Sequence, residues 1–371
     1  MGRLEESHRK IAIIGASPVF LLYGLYFRQL GYQVEIFDKS AIGGAWAPSK
    51  IFGKTLDLGV HYLYYNRALR AATGLLNSSY DLGLINLTIP AIGDQAIFGQ
   101  RHPEFSFGAD RLRGWKLLRA HANIPYHLLR YARRGSDSIY FEGGCKGLMT
   151  RMRRLLGESG VSLHEHALVD LIGEGEAGDS IVTAQQNGSC TSRKFDFILI
   201  SSRAIPRTLY GEETSHFYKE QVSIDSLLHL FLLIKNPGPP RYSFYKFVDE
   251  AIFGASDCRH YNLTEFGEDE TVISVAFNKG MSRGEVKEES VFKKLQQREI
   301  IGPNANRRAA EFTSHPTLNA DTDAIFKFNS RRKGTAQILQ VNNLAAALAD
   351  FSRLGRKNQG APDWVTQVLA E

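Results

Sequence analysis

The sequence predicts an α/β fold: a Rossmann-like domain interrupted by a second, α+β domain. Three observations predict it. Residues 10–46 (KIAIIGASPVFLLYGLYFRQLGYQVEIFDKSAIGGAW) read as a buried strand, a tight turn at Gly15, an apolar helix, a second strand ending at Asp38, and a glycine pair at Gly43–Gly44. That is the order of a βαβ unit. The run KFDFILISSRAIP (194–206) is an apolar strand with a small-residue exit turn, as expected inside a parallel sheet. Between 207 and 310, HLFLLIKN, RYSFYKFV and TVISVAFN read as strands of a mixed or antiparallel sheet. The expected division is 1–75, 140–206 and 311–371 for the first domain, with 76–139 and 207–310 forming the second.

The first βαβ unit suits a dinucleotide. Its strand aims the chain at a helix whose free N–H groups and positive dipole end favour a pyrophosphate. Asp38 follows Gly15 by 23 positions, close to the offset of the acidic residue that accepts ribose hydroxyls. The turn itself is Gly15-Ala16-Ser17-Pro18-Val19-Phe20, with glycine at only the first of the three usual places. Ser17 followed by Pro18 is a good helix start, an N-cap and then proline at the first helical position. Phe20 stands where helix and strand usually pack closely, so its ring must push the helix outward or turn aside.

Beyond Trp46, the stretch KTLDLGVHYLYYN (54–66) alternates, which places Asp57, Gly59 and His61 on one strand face. Helical segments are expected around 69–76 and 112–131. Gly143–Gly144 opens a helix with Leu148, Met152 and Leu155–Leu156 on one face. A strand follows the turn at 157–160, with His164 and His166 on one side and Glu165 opposite. Lacking a third ligand at usable spacing, this triplet reads as a surface strand rather than a zinc site. The segment 285–310 is charged and helical, DAIFKFN (323–329) reads as a strand, and an alanine-rich helix runs through Asn342–Phe351.

Bulk properties exclude several classes. The 371 residues suffice for two structural units, and 43% hydrophobic with 23% charged residues is ordinary for a globular chain. A net charge of +6, scattered in small basic groups, argues against nucleic acid and leaves room for small ligands, anionic ones included. Three cysteines form no CxxC pair, which fits a reducing cytoplasm and no metal. The polar start MGRLEESHRK is no secretory signal, and the helix after Pro18 is too short to span a bilayer.

Taken together, IFDKSAIGGAW, DLGVHYLYYN, HEHALVDLI and FNSRRKGTAQILQVNNLAAAL resemble the flavoprotein superfamily of flavin amine oxidases, protoporphyrinogen oxidase and UDP-galactopyranose mutase. The resemblance implies FAD. Asp38 would hold the adenosine ribose and Gly43 and Gly44 would approach the flavin side, with Lys39, Ala45 and Trp46 as neighbouring cofactor-binding candidates. Val169 would meet the adenine end, Gly15, Ser17 and Pro18 would form the pyrophosphate turn, and Ser201, at the exit turn of its strand, is a further cofactor-binding candidate. His61 would lie against the isoalloxazine ring, with Arg331 near the flavin phosphates or the substrate. Arg259 is a second candidate for fixing an anionic group. Asn329 corresponds to the polar residue after the superfamily's last strand, and Gln340 falls near the mutases' closing tyrosines. The closing segment is most like the mutase branch yet lacks its tyrosines and Asp-Met pair. The activity this implies is an FAD-dependent oxidoreductase acting on a small metabolite. Two alternatives stand beside it, a redox-neutral mutase-like enzyme using reduced flavin and a flavin-free member of the fold.

Overall fold

In the computed structural model, the described residues are 9–57, 63–64, 76–78, 80–89, 91–92, 96–97, 100–101, 136–176, 178–218, 227–239, 243–247, 251–260, 265–267, 269–278, 280–315, 320–332 and 334–340. The first domain contains β1 (Lys10–Ile14), α1 (Pro18–Gln29), β2 (Gln33–Phe37), β3 (Ser136–Phe141), α2 (Gly144–Ser159), β4 (Ser162–His164), β5 (Ala167–Glu174), β6 (Ser180–Gln186), β7 (Ser189–Phe195) and β8 (Phe197–Ser201). The second contributes β9 (Leu227–Lys235), β10 (Phe244–Phe247), β11 (Ile252–Asp257), β12 (Glu270–Phe277), α3 (Glu288–Gln297) and β13 (Asn306–His315). The chain then returns through α4 (Thr322–Arg331) and β14 (Ala336–Leu339).

A five-stranded parallel sheet in the order β4–β2–β1–β8–β14 is the frame. Register aligns the strand ends: Ile14 pairs with Phe37 and Ile200, Phe37 with His164, and Ile200 with Ile338. All five C-terminal ends therefore share one edge. The sheet is covered on both faces, which is why β1 and β8 are continuously apolar. Ile11 and Ile13 pack with α1 and α2, whereas Ala12, Ile14, Ile198 and Ile200 pack with the antiparallel sheet β5–β6–β7.

Helix α1 is buried nearly all round, from Pro18 to Phe27, because the sheet and α2 cover it together. Phe20 is 1% exposed inside this core, edge-on to Tyr23. The close helix–strand approach expected at Phe20 is made one helical turn later. A Cβ on Gly24 would meet Ile36 Cδ1 at 2.7 Å. The aromatic ring is absorbed because the glycine for close packing has moved.

Three elements differ from the sequence expectation. DAIFKFN is helical, within α4: Asp321 caps it, accepting from the N–H groups of Asp323 and Ala324, and Ile325 and Phe328 bury one face. The strand of this region is β14, parallel to β8. The His164–Glu165–His166 triplet is not one strand. His164 ends β4, and the chain turns at His166 (φ +57°) into β5. The charged segment 285–310 is helical only through α3; from Asn306 it is strand β13. The expected helices over 112–131 and 342–351 lie outside the described residues.

The second domain's sheet runs β13–β9–β12–β11–β10 with antiparallel neighbours, and Ala91–Ile92 adds a sixth strand parallel to β10. One face buries Leu230, Leu232, Ile273 and Val275 against Val291, Phe292 and Leu295 of α3. The other shares the core of the first domain through Phe231, Phe244 and Val272, with Phe244 edge-on to Tyr140 at 5.1 Å.

Candidate functional site

The C-terminal edge of the parallel sheet gathers Gly15, Asp38, His164, Ser201 and Gln340 at successive strand ends. Gly15 (φ +103°) donates its N–H to Phe37 O at 2.8 Å. A Cβ there would lie 2.8 Å from Ser201 Cβ and 3.2 Å from Ala204 Cβ. Only glycine lets the β1 turn and the β8 exit turn touch in this way.

Ser17 is the N-cap of α1 in extended conformation, followed by Pro18, and makes no side-chain cap hydrogen bond. Among the described residues the first intrahelical donation is from Leu21 N–H to Ser17 O, at 3.0 Å. The N–H groups of Val19 and Phe20 thus stand at the helix's positive end. Over this end folds the glycine pair. Gly43 N–H donates to Ala16 O at 2.8 Å, and Gly44 sits so that a Cβ would fall 3.4 Å from Ser17 Cβ. Gly43 (φ +121°) has no room for a Cβ either, with Ala47 backbone at 2.9 Å and Met149 Sδ at 3.0 Å. Both loop glycines adopt positive φ that other residues resist.

Asp38 is held in a fixed pose beside this cradle. Its Oδ2 accepts Ala16 N–H at 2.7 Å, and its Oδ1 accepts Ser40 N–H at 2.9 Å and Ser40 Oγ at 2.8 Å. Backbone bonds from Asp38 N–H to His164 O and from Ala167 N–H to Asp38 O bring the start of β5 alongside. Val169 lies two residues along that strand, buried in the core that includes Phe37. Lys39 is exposed, and Trp46 packs edge-on to Phe141 at 6.1 Å. Glycines that a Cβ would fill, an uncapped helix start and an oriented carboxylate at the β2 end together fit a diphosphate-linked nucleotide.

Two supporting residues were not visible as such in the sequence. Glu165 accepts Ile42 N–H at 2.8 Å and pairs with Arg153 at 2.6 Å, tying the glycine loop to α2. The Arg153 hydrogen bond holds its carboxyl below the usual glutamate range. Asp57, 0% exposed, accepts Cys145 N–H at 3.0 Å and the Tyr140 hydroxyl, which caps α2 from a distant part of the chain. Burial pushes its carboxyl above the usual aspartate range, against the pull of those donors. Among the described residues no group of His, Cys, Asp and Glu is arranged to hold a metal ion. None of the described helices is long and apolar enough to cross a membrane.

No family profile and no curated protein sequence matches the chain. Solved structures do. A protein assigned as a protoporphyrinogen oxidase from Exiguobacterium sp. 255-15 aligns at TM-score 0.57 with 14% identity, covering 94% of this chain and 97% of that one. Reduced UDP-galactopyranose mutase aligns at 0.54 with 12% identity, over 95% and 96%. An oxidoreductase from Methanosarcina mazei aligns at 0.55 with 12% identity, over 94% and 100%. The chain shares the fold of these proteins.

Within this fold, other candidate residues fall away from the cradle. Arg331 ends α4, which leads into the start of β14 and so lies toward the N-terminal edge of the sheet; its guanidinium is exposed, 3.7 Å from Glu212. Asn329 does not follow the last strand; its amide donates to Ile338 O and accepts Ile338 N–H, fastening α4 to β14. Gln340 is the residue that follows that strand. Arg259 is engaged by buried Asp257 at 2.6 Å and by Gly238 O at 2.9 Å, a brace within the second domain. His61 and the side chain of Ala45 lie outside the described residues.

Proposed function

We propose that this protein is an FAD-dependent oxidoreductase acting on a small metabolite. The observation that carries the reading is the cradle formed by Gly15, Gly44 and the uncapped start of α1, with Asp38 oriented beside it. The N–H groups of Val19 and Phe20 would receive the pyrophosphate, and Ser17 Oγ would add a donor. Asp38 would accept the adenosine ribose hydroxyls, with Val169 toward the adenine. Gly43, Gly44 and Trp46 would border the flavin half, and Ser201 and Gln340 the neighbouring strand ends. FAD, when bound, supplies hydride acceptance; the chain binds it, orients it and places the substrate. His61 is proposed for the flavin ring, from the resemblance of DLGVHYLYYN. Arg259 and Arg331 are left to the structural contacts described above.

The test is a visible spectrum of the purified chain, then reconstitution with FAD and with FMN. FAD should be retained and FMN should not, because FMN has no adenosine half for Asp38 to hold. Asp38→Ala should weaken FAD retention about tenfold or more, the loss of charge-assisted hydrogen bonds of about 1.5–3 kcal/mol, with the fold intact. Colourless protein that refuses both flavins would defeat the reading. Oxygen consumption with peroxide release would support oxidase chemistry, whereas turnover only after dithionite, without net oxidation, would transfer the assignment to a mutase-like enzyme.

A further inference from the structure

Residues 164–167, between β4 and β5, run alongside the segment that leads from β2 into the glycine loop. Asp38 N–H donates to His164 O at 3.0 Å, Ala167 N–H to Asp38 O at 2.8 Å and His166 N–H to Ser40 O at 3.1 Å. These main-chain bonds hold the Asp38 end. Further along, a side chain takes over: Glu165 Oε1 accepts Ile42 N–H at 2.8 Å. The next amide, Gly43 N–H, donates to Ala16 O of the β1 turn at 2.8 Å. Two consecutive amides therefore fix the entry to the loop, one on Glu165 and one on the β1 turn.

Glu165 is itself aimed from α2. Arg153 Nη2 donates to Oε1 at 2.6 Å and Nε to Oε2 at 3.1 Å, a two-pronged contact that sets the plane of the carboxylate. One turn earlier, Met149 Sδ lies 3.0 Å from where a Gly43 Cβ would stand, so neighbouring turns of α2 serve adjoining loop residues. The Arg153 and Glu165 side chains are 44% and 25% exposed, and a pair so open to solvent adds little to folding stability. Its effect falls on what it holds. Gly43 and Gly44 have the widest conformational freedom of any residue type, so their shape depends on an external anchor.

We propose, resting on the FAD reading of the cradle, that Glu165 and Arg153 are positioning residues for the cofactor. Together they hold the Gly43–Gly44 loop against the start of α1 and so set how tightly the flavin half of FAD is kept, while the adenosine half rests on Asp38. The charged groups facing the Glu165 carboxylate are Arg153 from α2 and, when protonated, His166 from its own turn, and the Arg153 hydrogen bond holds the carboxyl below the usual glutamate range. A protonated Glu165 releases Arg153 and accepts Ile42 N–H more weakly. The anchoring is therefore fully present at neutral pH and is lost as pH falls through the lowered value.

The experiment titrates the full-length protein with FAD and with AMP, and follows amide hydrogen exchange in the flavin-free protein. Glu165→Ala should weaken FAD about tenfold, the worth of one charge-assisted hydrogen bond. Arg153→Met should weaken it about threefold, with Arg153→Lys between Arg153→Met and wild type. AMP affinity and the urea midpoint should stay nearly unchanged in all three. On acidification, FAD should be lost at a higher pH in Arg153→Met than in wild type; Asp38 is common to both, so the difference isolates Glu165. Without flavin, the Ile42 and Gly43 amides should exchange faster in Glu165→Ala and Arg153→Met, with the Ala167 amide as the unchanged reference. Unchanged exchange at Ile42 and Gly43, or equal losses of FAD and AMP affinity, overturns the proposal. The two readings fail separately. Faster loop exchange in a protein that takes up no FAD removes the flavin and keeps the positioning pair; wild-type FAD affinity in Glu165→Ala removes the pair and keeps the flavin.

Discussion

Helices α1 and α2 lie side by side against the same sheet face, yet their N-termini are treated in opposite ways. The start of α2 is closed from within. Asp57, more than eighty residues upstream, brings a fully buried carboxylate onto Cys145 N–H. The start of α1 has no such partner among the described residues, since its N-cap Ser17 makes no side-chain bond and Pro18 carries no N–H. Both helix ends offer the same partial positive charge. A helix start sealed by its own carboxylate holds the fold together, whereas one bordered by glycines and left uncapped is available to an anion brought from outside. The contrast assigns structure to one end and binding to the other.

Gly15→Val tests the binding end most severely. The new side chain would need φ near +103°, which β-branched residues resist, and its Cβ would begin 2.8 Å from Ser201 Cβ. Strain and overpacking together should cost about 3 kcal/mol or more, seen as a lower urea midpoint and as lost flavin retention. A Gly15→Val protein that keeps wild-type stability would mean the two turns are not in contact.

Asp57→Asn tests the closed end, with a smaller effect that carries a pH signature. The amide keeps one acceptor and adds an N–H where donors already converge, costing about 1–3 kcal/mol in urea unfolding. Because burial raises the folded-state value of Asp57 above its unfolded value, its contribution is fully present below the unfolded value and is lost as pH rises through the folded one. The stability gap between wild type and Asp57→Asn should therefore narrow as pH increases. A gap that widens would show that the donors of Tyr140 and Cys145, rather than desolvation, govern this carboxyl. FAD affinity should change far less than in Asp38→Ala.

Much of the frame was legible because its signals are local. Gly15, the Ser17–Pro18 start, the end of β2 at Asp38, and both glycine pairs each declare themselves within a few residues, and the structure forms βαβ and α2 where they predict. What was not legible depends on contacts between distant segments. Asp57 gives no local sign that it caps a helix more than eighty residues on, and Glu165 reads as one residue of a surface strand until Ile42 and Arg153 engage it. Nothing local marks Gly24, because its closeness to Ile36 exists only once the helix lies on the sheet. DAIFKFN alternates well enough for a strand, but Ile325 and Phe328 also fit a helical face. The cap at Asp321 and the contacts of α4 with β14 decided between the two periods. Displacing the last strand to β14 also moved its exit from Asn329 to Gln340.

That displacement gives the smallest predicted effect. If substrate and cofactor meet at the C-terminal edge, Arg331 on the far end of α4 is remote from both. Its contact with Glu212 at 3.7 Å joins two side chains that are each about three-fifths exposed. An exposed pair of that kind contributes about 0–1 kcal/mol and is screened by salt. Arg331→Ala should leave flavin retention unchanged and shift the urea midpoint barely, whereas an arginine binding phosphate would lose affinity at least tenfold on truncation, about 1.4 kcal/mol or more. Measuring FAD affinity for Arg331→Ala beside Asp38→Ala therefore ranks the two edges directly. A larger loss at Arg331 would place the cofactor at the opposite edge from Gly15 and would reverse the roles assigned to the two ends of the sheet.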